Sequence, residues 1–109
     1  MKLISRIEEL VLVSIWRLQD QAYGLSILET MTRSTGNTWL TGSVYSSLAS
    51  LLKQGLVEAI EGDPTPERGG RRKIFYCVTP KGQRALQQLQ KIHANLWTAL
   101  PPFELEEKG

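Results

Sequence analysis

The stretch TGSVYSSLASLLKQ, residues 41–54, has the spacing of a short helix that presents one face outward. Thr41 is a suitable N-cap, because its side-chain oxygen can accept from backbone N–H groups that the first turn leaves unpaired; Gly55 offers the left-handed residue that stops the helix. At about 100° per residue Val44, Leu48, Leu51 and Leu52 fall on one stripe, flanked by Tyr45 and Ser47. Gly42, Ser43, Ser46, Ala49, Ser50 and Lys53 fall opposite. That side is small and polar, so a partner as large as a nucleic-acid groove can approach it closely. An ordinary solvated helix face has the same pattern, and what surrounds the stretch must decide between the two.

Upstream, Ser5 with Glu8 three residues later is a capping-box pattern that opens a helix over 6–18. Ile7, Leu10, Val11, Leu12, Val13, Ile15, Trp16 and Leu18 cover far more than one of its faces. A helix apolar most of the way round is covered on more than one side, which so small a domain cannot do alone, so a second subunit is expected against it. Asp20 and Gln21 mark a break. A second helix follows over 23–33, with Tyr23, Ile27, Leu28 and Met31 at core spacing and Gly36 as its stop. Two short helices joined by a tight connection, the second with a polar outward face, have the outline of a helix-turn-helix.

Downstream the pattern becomes extended. Residues 56–61 read as a strand and residues 73–78, rich in aromatic and β-branched side chains, as its antiparallel partner. Between them GDPTPERGGRR, residues 62–72, is too long for a two-residue hairpin and reads as a projecting loop. Arg68, Arg71, Arg72 and Lys73 put four positive charges into six residues, separated only by Gly69 and Gly70. Such a loop can neutralise phosphates and release counterions, and Asp63 and Glu67 at its base can pair with the arginines when no polyanion is present. Thr79 followed by Pro80 is a strong helix start, and Pro101 with Pro102 ends a last helix near residue 100. Leu86, Leu89, His93, Leu96 and Leu100 recur at three-four spacing, with Ile92 and Trp97 beside them. Two heptads are too few for an independent coiled coil but enough to pack on a symmetry mate or on the apolar first helix of the other subunit. The dimer interface is therefore expected at Leu10, Val13, Leu86, Leu89, His93, Leu96, Trp97 and Leu100.

Composition narrows the function. A chain of 109 residues suits one compact domain, and 41% apolar with 22% charged residues is a globular balance. The net charge of +2 is small, so nucleic-acid binding must rest on where the charge sits. One cysteine, Cys77, and one histidine, His93, exclude an internal disulfide and a Cys/His zinc site within one chain. No set of nucleophile, base and orienting group has a defensible spacing, so an enzyme is rejected and neither metal nor cofactor is expected. No signal-peptide pattern and no apolar run of about 18 residues is present, which leads to the expectation of a cytoplasmic protein without membrane contact.

The order helix, helix, helix, strand, basic loop, strand, helix is that of a winged helix: mainly α, with three helices, a two-stranded β-hairpin wing and a C-terminal dimerisation helix. It divides the chain into a winged helix-turn-helix unit, residues 1–79, and a dimerisation helix with an acidic tail, residues 80–109. The chain resembles the PadR-like transcriptional regulators of bacteria, in the form with a single short C-terminal helix. AYG at 22–24, VYSSL at 44–48, KQGLV at 53–57, TPERGGRRK at 65–73 and VTPKG at 78–82 carry the resemblance, in the right order and spacing. It implies a homodimeric repressor that binds a palindromic operator in double-stranded DNA, with residues 41–54 in the major groove and the 68–73 wing along the backbone or adjacent minor groove. Tyr45 would then contact phosphate or base, Ser43 and Ser46 would face the groove, and Arg71, Arg72 and Lys73 would contact DNA from the wing. Thr41, Ser50, Lys53 and Arg68 complete the expected DNA-binding set. Relatives often carry arginine or lysine near residues 46–50, where this chain has serines and an alanine, so hydroxyl, thymine-methyl or shape readout replaces bidentate guanine contacts. Ile74 and Cys77 likewise stand where basic residues are common. Some relatives bind flat aromatic compounds between their subunits, which makes Trp16, His93 and Trp97 the place to look for an effector site. The competing class is a winged helix used only for protein interaction, and the wing's charge discriminates the two.

Overall fold

The computed structural model describes residues 2–64 and 72–106. Helix α1, Arg6–Leu18, opens on the expected capping box: the Ser5 N–H donates to Glu8 Oε1 at 2.8 Å and the Glu8 N–H donates to Ser5 Oγ at 3.2 Å. A turn of 3-10 helix, Gln19–Gln21, leads to α2, Gly24–Thr35, which Gly36 closes at φ 72°. Helix α2 runs two residues past the expected 33, because Thr35 Oγ1 bonds the Met31 carbonyl at 2.7 Å and accepts from the Trp39 indole at 3.0 Å. That pair ties the end of α2 to the connection into α3, Thr41–Lys53.

Helix α3 differs from expectation at its start. Leu40, not Thr41, is its N-cap; Thr41 is the first helical residue and no side chain caps the helix. Its end follows the expected form: Gly55 sits at φ 75°, the Gly55 N–H reaches the Leu52 carbonyl and the Leu56 N–H reaches the Leu51 carbonyl, both at 3.0 Å. These are the paired bonds of a Schellman stop.

Strands β1, Val57–Pro64, and β2, Arg72–Val78, pair antiparallel from Val57 opposite Val78 to Glu61 opposite Ile74, with a register shift before Pro64 meets Arg72. Strand β1 takes in Gly62, Asp63 and Pro64, which the sequence assigns to the loop. Phe75 explains the extension: a Cβ on Gly62 would lie 2.8 Å from its ring, so glycine lets the strand continue beneath it. Residues 65–71, with Arg68, Arg71 and Glu67, lie outside the described residues. A third segment joins the hairpin, since the Tyr76 N–H donates to the Ala22 carbonyl at 2.8 Å and Tyr23 bridges Phe75. Two residues between helices are too short to carry a strand signature.

Helix α4, Pro80–Trp97, starts as expected, with Thr79 Oγ1 accepting from the Gly82 N–H at 3.0 Å. It stops three residues short of Leu100: Thr98 is extended, Ala99 is left-handed at φ 57°, and Leu100 drops out of the helical seam. The last turn of α4, beyond His93, is exposed. Gly82 and Leu89 are buried, whereas Leu96 and Trp97 are about two-thirds exposed, at 65% and 64%. The core gathers Val11, Leu12 and Ile15 of α1, Ile27 and Met31 of α2, and Val44, Leu48 and Leu51 of α3 against Val57, Tyr76 and Val78 of the hairpin. Four helices and an antiparallel hairpin in this order make a winged helix with an appended helix.

Candidate nucleic-acid interface

The buried residues of α3 are Val44, Ser47, Leu48 and Leu51, an i, i+3, i+4, i+7 stripe. Ser47, expected at the flank, is inside, and Leu52, expected in the stripe, is 37% exposed. The helix is therefore rolled slightly from the sequence reading, because a small hydroxyl fits closer to the packed helices than a leucine does. Opposite the stripe, Gly42, Ser46, Ala49 and Lys53 are exposed, as is Thr41, and Ser43 is half-buried. No side-chain hydrogen bond or ion pair to a described residue engages Ser46 or Lys53.

The two flanks of this face are occupied differently. On one side Ser50 turns toward α1, where its hydroxyl donates to Glu8 Oε2; Gln54 Nε2 donates to the same oxygen and to Ser50 Oγ, each at 3.1 Å. Ser50 was expected to face outward, but a carboxylate within reach outcompetes water for its proton. Those hydrogen bonds and the one from the Ser5 N–H hold the Glu8 carboxyl below its ordinary range, with desolvation opposing them. On the other side half-exposed Tyr45 lies across the start of α2. A Cβ on Gly24 would stand 2.0 Å from the Tyr45 hydroxyl, which gives the glycine of AYG its physical reason. Tyr76, buried beside it, has its phenol pushed up by burial and further by Tyr45.

At the wing base, the Lys73 ammonium sits 4.2 Å from the centroid of the Tyr23 ring, and that ring meets Phe75 edge to face with centroids 5.7 Å apart. Lys73 is thus held on the α2 side of the hairpin, next to the Tyr45 flank of α3. The structure leaves Tyr45, Ser46 and Lys53 exposed on α3, places Lys73 over Tyr23 beside the Gly24 that Tyr45 covers, and withdraws Ser50. Arg72 lies in β2.

A separate groove of about 760 Å³ runs between α1 and α4, floored by Val13, Trp16, Leu86 and Leu89 and crossed by a 2.6 Å contact between His93 Nε2 and Glu9 Oε2. Trp16 and His93 come together there. Trp97 does not line it and stands exposed one turn beyond His93. Among the described residues no cluster of three His, Cys, Asp or Glu side chains could hold a metal. Sequence reasoning missed Glu8 and Tyr76 as neighbours of α3. Ser50 and Gln54, spaced i, i+4, were the available signal for a shared partner.

Residues 11–88 match the family described as "Transcriptional regulator PadR-like family". No curated protein sequence matches the chain. Among solved structures, RosR of H. salinarum superposes with a TM-score of 0.72 at 22% identity, over 90% of this chain and 81% of that one. A transcriptional regulator from Clostridium thermocellum gives 0.64 at 23% identity, covering 88% and 99% of the two chains. A PadR family transcription regulator from Clostridium difficile R20291 gives 0.63 at 22%, covering 84% and 90%. At such identities these likenesses speak to the fold, while the family match spans most of the chain: the protein belongs to the PadR-like family of transcriptional regulators, which are DNA-binding proteins and not enzymes.

Proposed function

We propose that the protein is a homodimeric repressor of a palindromic operator, in which residues 1–79 read DNA and residues 80–109 join the subunits. Helix α3 enters the major groove, with Thr41, Ser43, Tyr45, Ser46 and Lys53 at the DNA, and Arg68, Arg71, Arg72 and Lys73 follow the backbone or minor groove from the wing. The observation that carries this reading is the outward face of α3. Gly42, Ser46 and Ala49 leave it flat enough for close approach, and Ser46 and Lys53 keep their hydrogen-bonding capacity for a partner. Without arginine on that face, sequence is read through hydroxyls, methyl contacts and shape.

The exposed apolar surface supports the dimer. Val13 and Trp16 on α1 are 43% and 44% exposed, and Leu96 and Trp97 continue the unpacked side of α4. A second copy covers these together with Leu10, Leu86 and His93; Leu89, expected in the interface, is already buried within the chain and supports it from beneath, and Leu100 joins from beyond the helix end. The α1/α4 groove, walled by Trp16 and His93, is the place for a flat aromatic effector, and Trp97 belongs to such a site only where the partner brings it near. The test is selection of bound duplexes from a random pool, followed by titration at several salt concentrations. A palindrome with half-sites about one helical turn apart is the expected result. Weak, salt-sensitive binding without enrichment overturns the reading and favours a protein-interaction module.

A further inference from the structure

The contacts of Glu8 go beyond capping its own helix. One carboxylate oxygen closes the α1 capping box on Ser5, and the other receives both Ser50 and Gln54, one turn apart on α3. A capping-box glutamate ordinarily has its remaining lone pairs in water. Here they are spent on the flank of the helix whose adjoining face is turned outward. The opposite flank is fixed differently, by Tyr45 lying on Gly24. Beyond the stop at Gly55, α4 holds the same end of α3: Lys81 Nζ donates to the Gln54 carbonyl at 2.9 Å and Thr79 Oγ1 to the Gly55 carbonyl at 2.7 Å. Those bonds act on the backbone at the helix end and fix its position but not its roll. Glu8 grips side chains, at a radius from the helix axis where a small rotation breaks the bonds.

We propose that Glu8 is a positioning residue for DNA recognition: by receiving Ser50 and Gln54 it sets the roll of α3, and hence which side chains meet the bases. The proposal rests on the reading of α3 as the helix in the groove. Glu8 itself touches no DNA, and Ser50 acts through Glu8 and not on a base.

The experiment compares, in the full chain, affinity for the duplex enriched from a random pool with affinity for a random duplex of the same length. Glu8→Gln keeps the shape but has one acceptor oxygen in place of two, so its amide donor meets either the Ser5 N–H or the Ser50/Gln54 pair, and the grip on α3 loses its charge in either orientation. It is expected to lower the ratio of the two affinities about three- to tenfold, the scale of one ordinary hydrogen bond, with random-duplex affinity little changed. Ser50→Ala is expected to lower the ratio in the wild-type background and to add nothing in Glu8→Gln. Equal losses from Ser50→Ala in both backgrounds make Ser50 a direct DNA contact and overturn the proposal. Ser46→Ala is the control for the underlying reading. If it lowers the ratio while Glu8→Gln leaves it unchanged, the proposal fails and the reading stands; if neither changes it, both fail. Should Glu8→Gln not fold, Gln54→Ala, which removes one donor at the helix end, carries the test. It is expected to lower the ratio about two- to threefold with the thermal midpoint nearly kept, and an unchanged ratio overturns the proposal.

Discussion

Single side chains divide here into those proposed to read DNA and those that hold the fold. Among the described residues none hydrogen-bonds the Ser46 side chain, which is exposed on the outward face, and Tyr45 half-covers Gly24 while leaving its edge outside. Ser46→Ala or Tyr45→Phe is expected to weaken the preferred operator by roughly 1 to 3 kcal/mol more than random DNA, measured by fluorescence anisotropy on both duplexes. Gly24→Ala should act through the same tyrosine. The added methyl takes the place of the Tyr45 hydroxyl, so the variant folds, loses operator affinity, and shows no further loss when combined with Tyr45→Phe. Glu8 adds a pH dependence. Its folded carboxyl lies below the ordinary value, so its stabilisation is complete above the unfolded value of about 4.5 and fades as pH falls through the folded one. Thermal midpoints of the wild type and Glu8→Gln should accordingly differ at pH 7 and converge toward pH 3. The Ser5/Glu8 pattern was legible as a cap, whereas the turn of Glu8 toward α3 was not, because it depends on how two helices dock.

At the scale of elements, amphipathic spacing found each helix and both strands, and it erred where a neighbour decided. Helix α3 is rolled because Ser47 tolerates the closest packing, β1 is longer because Phe75 lies over Gly62, and α4 is shorter because Ala99 turns left-handed before the prolines act. The Ala22–Tyr23 link to β2 left no periodic trace. It nonetheless anchors the wing, since Tyr23 receives both Phe75 and the Lys73 ammonium. Phosphate contact by the wing should appear as a salt effect: replacing Arg71 and Arg72 by alanine is expected to reduce the log-log slope of affinity against salt by about one to two. An unchanged slope would remove those arginines from the interface.

For the whole molecule, the uncovered apolar side of α1 and α4 is the main feature that one chain leaves unresolved. The excess of apolar residues on α1 announced it in the sequence, and the exposure of Val13, Trp16, Leu96 and Trp97 gives it a location. Trp97→Ala is expected to weaken self-association by roughly 2 kcal/mol or more, read by analytical ultracentrifugation, because large aromatics near the centre of an interface carry much of its energy. Operator binding should then become steeply dependent on protein concentration, while affinity for a single half-site stays the same.

The corner between α3 and α4 makes the molecule a lever. From Gly55 to Thr79 the end of α3 and the start of α4 are bonded directly, and α4 then extends about 27 Å at 1.5 Å per residue. A pivot of about 7° at that fulcrum displaces the far end by about 3.4 Å, the rise of one base pair. In the dimer proposed above, the same small tilt would carry each α3 out of step with its half-site, so an event at the distal tip would release DNA without unfolding anything near it.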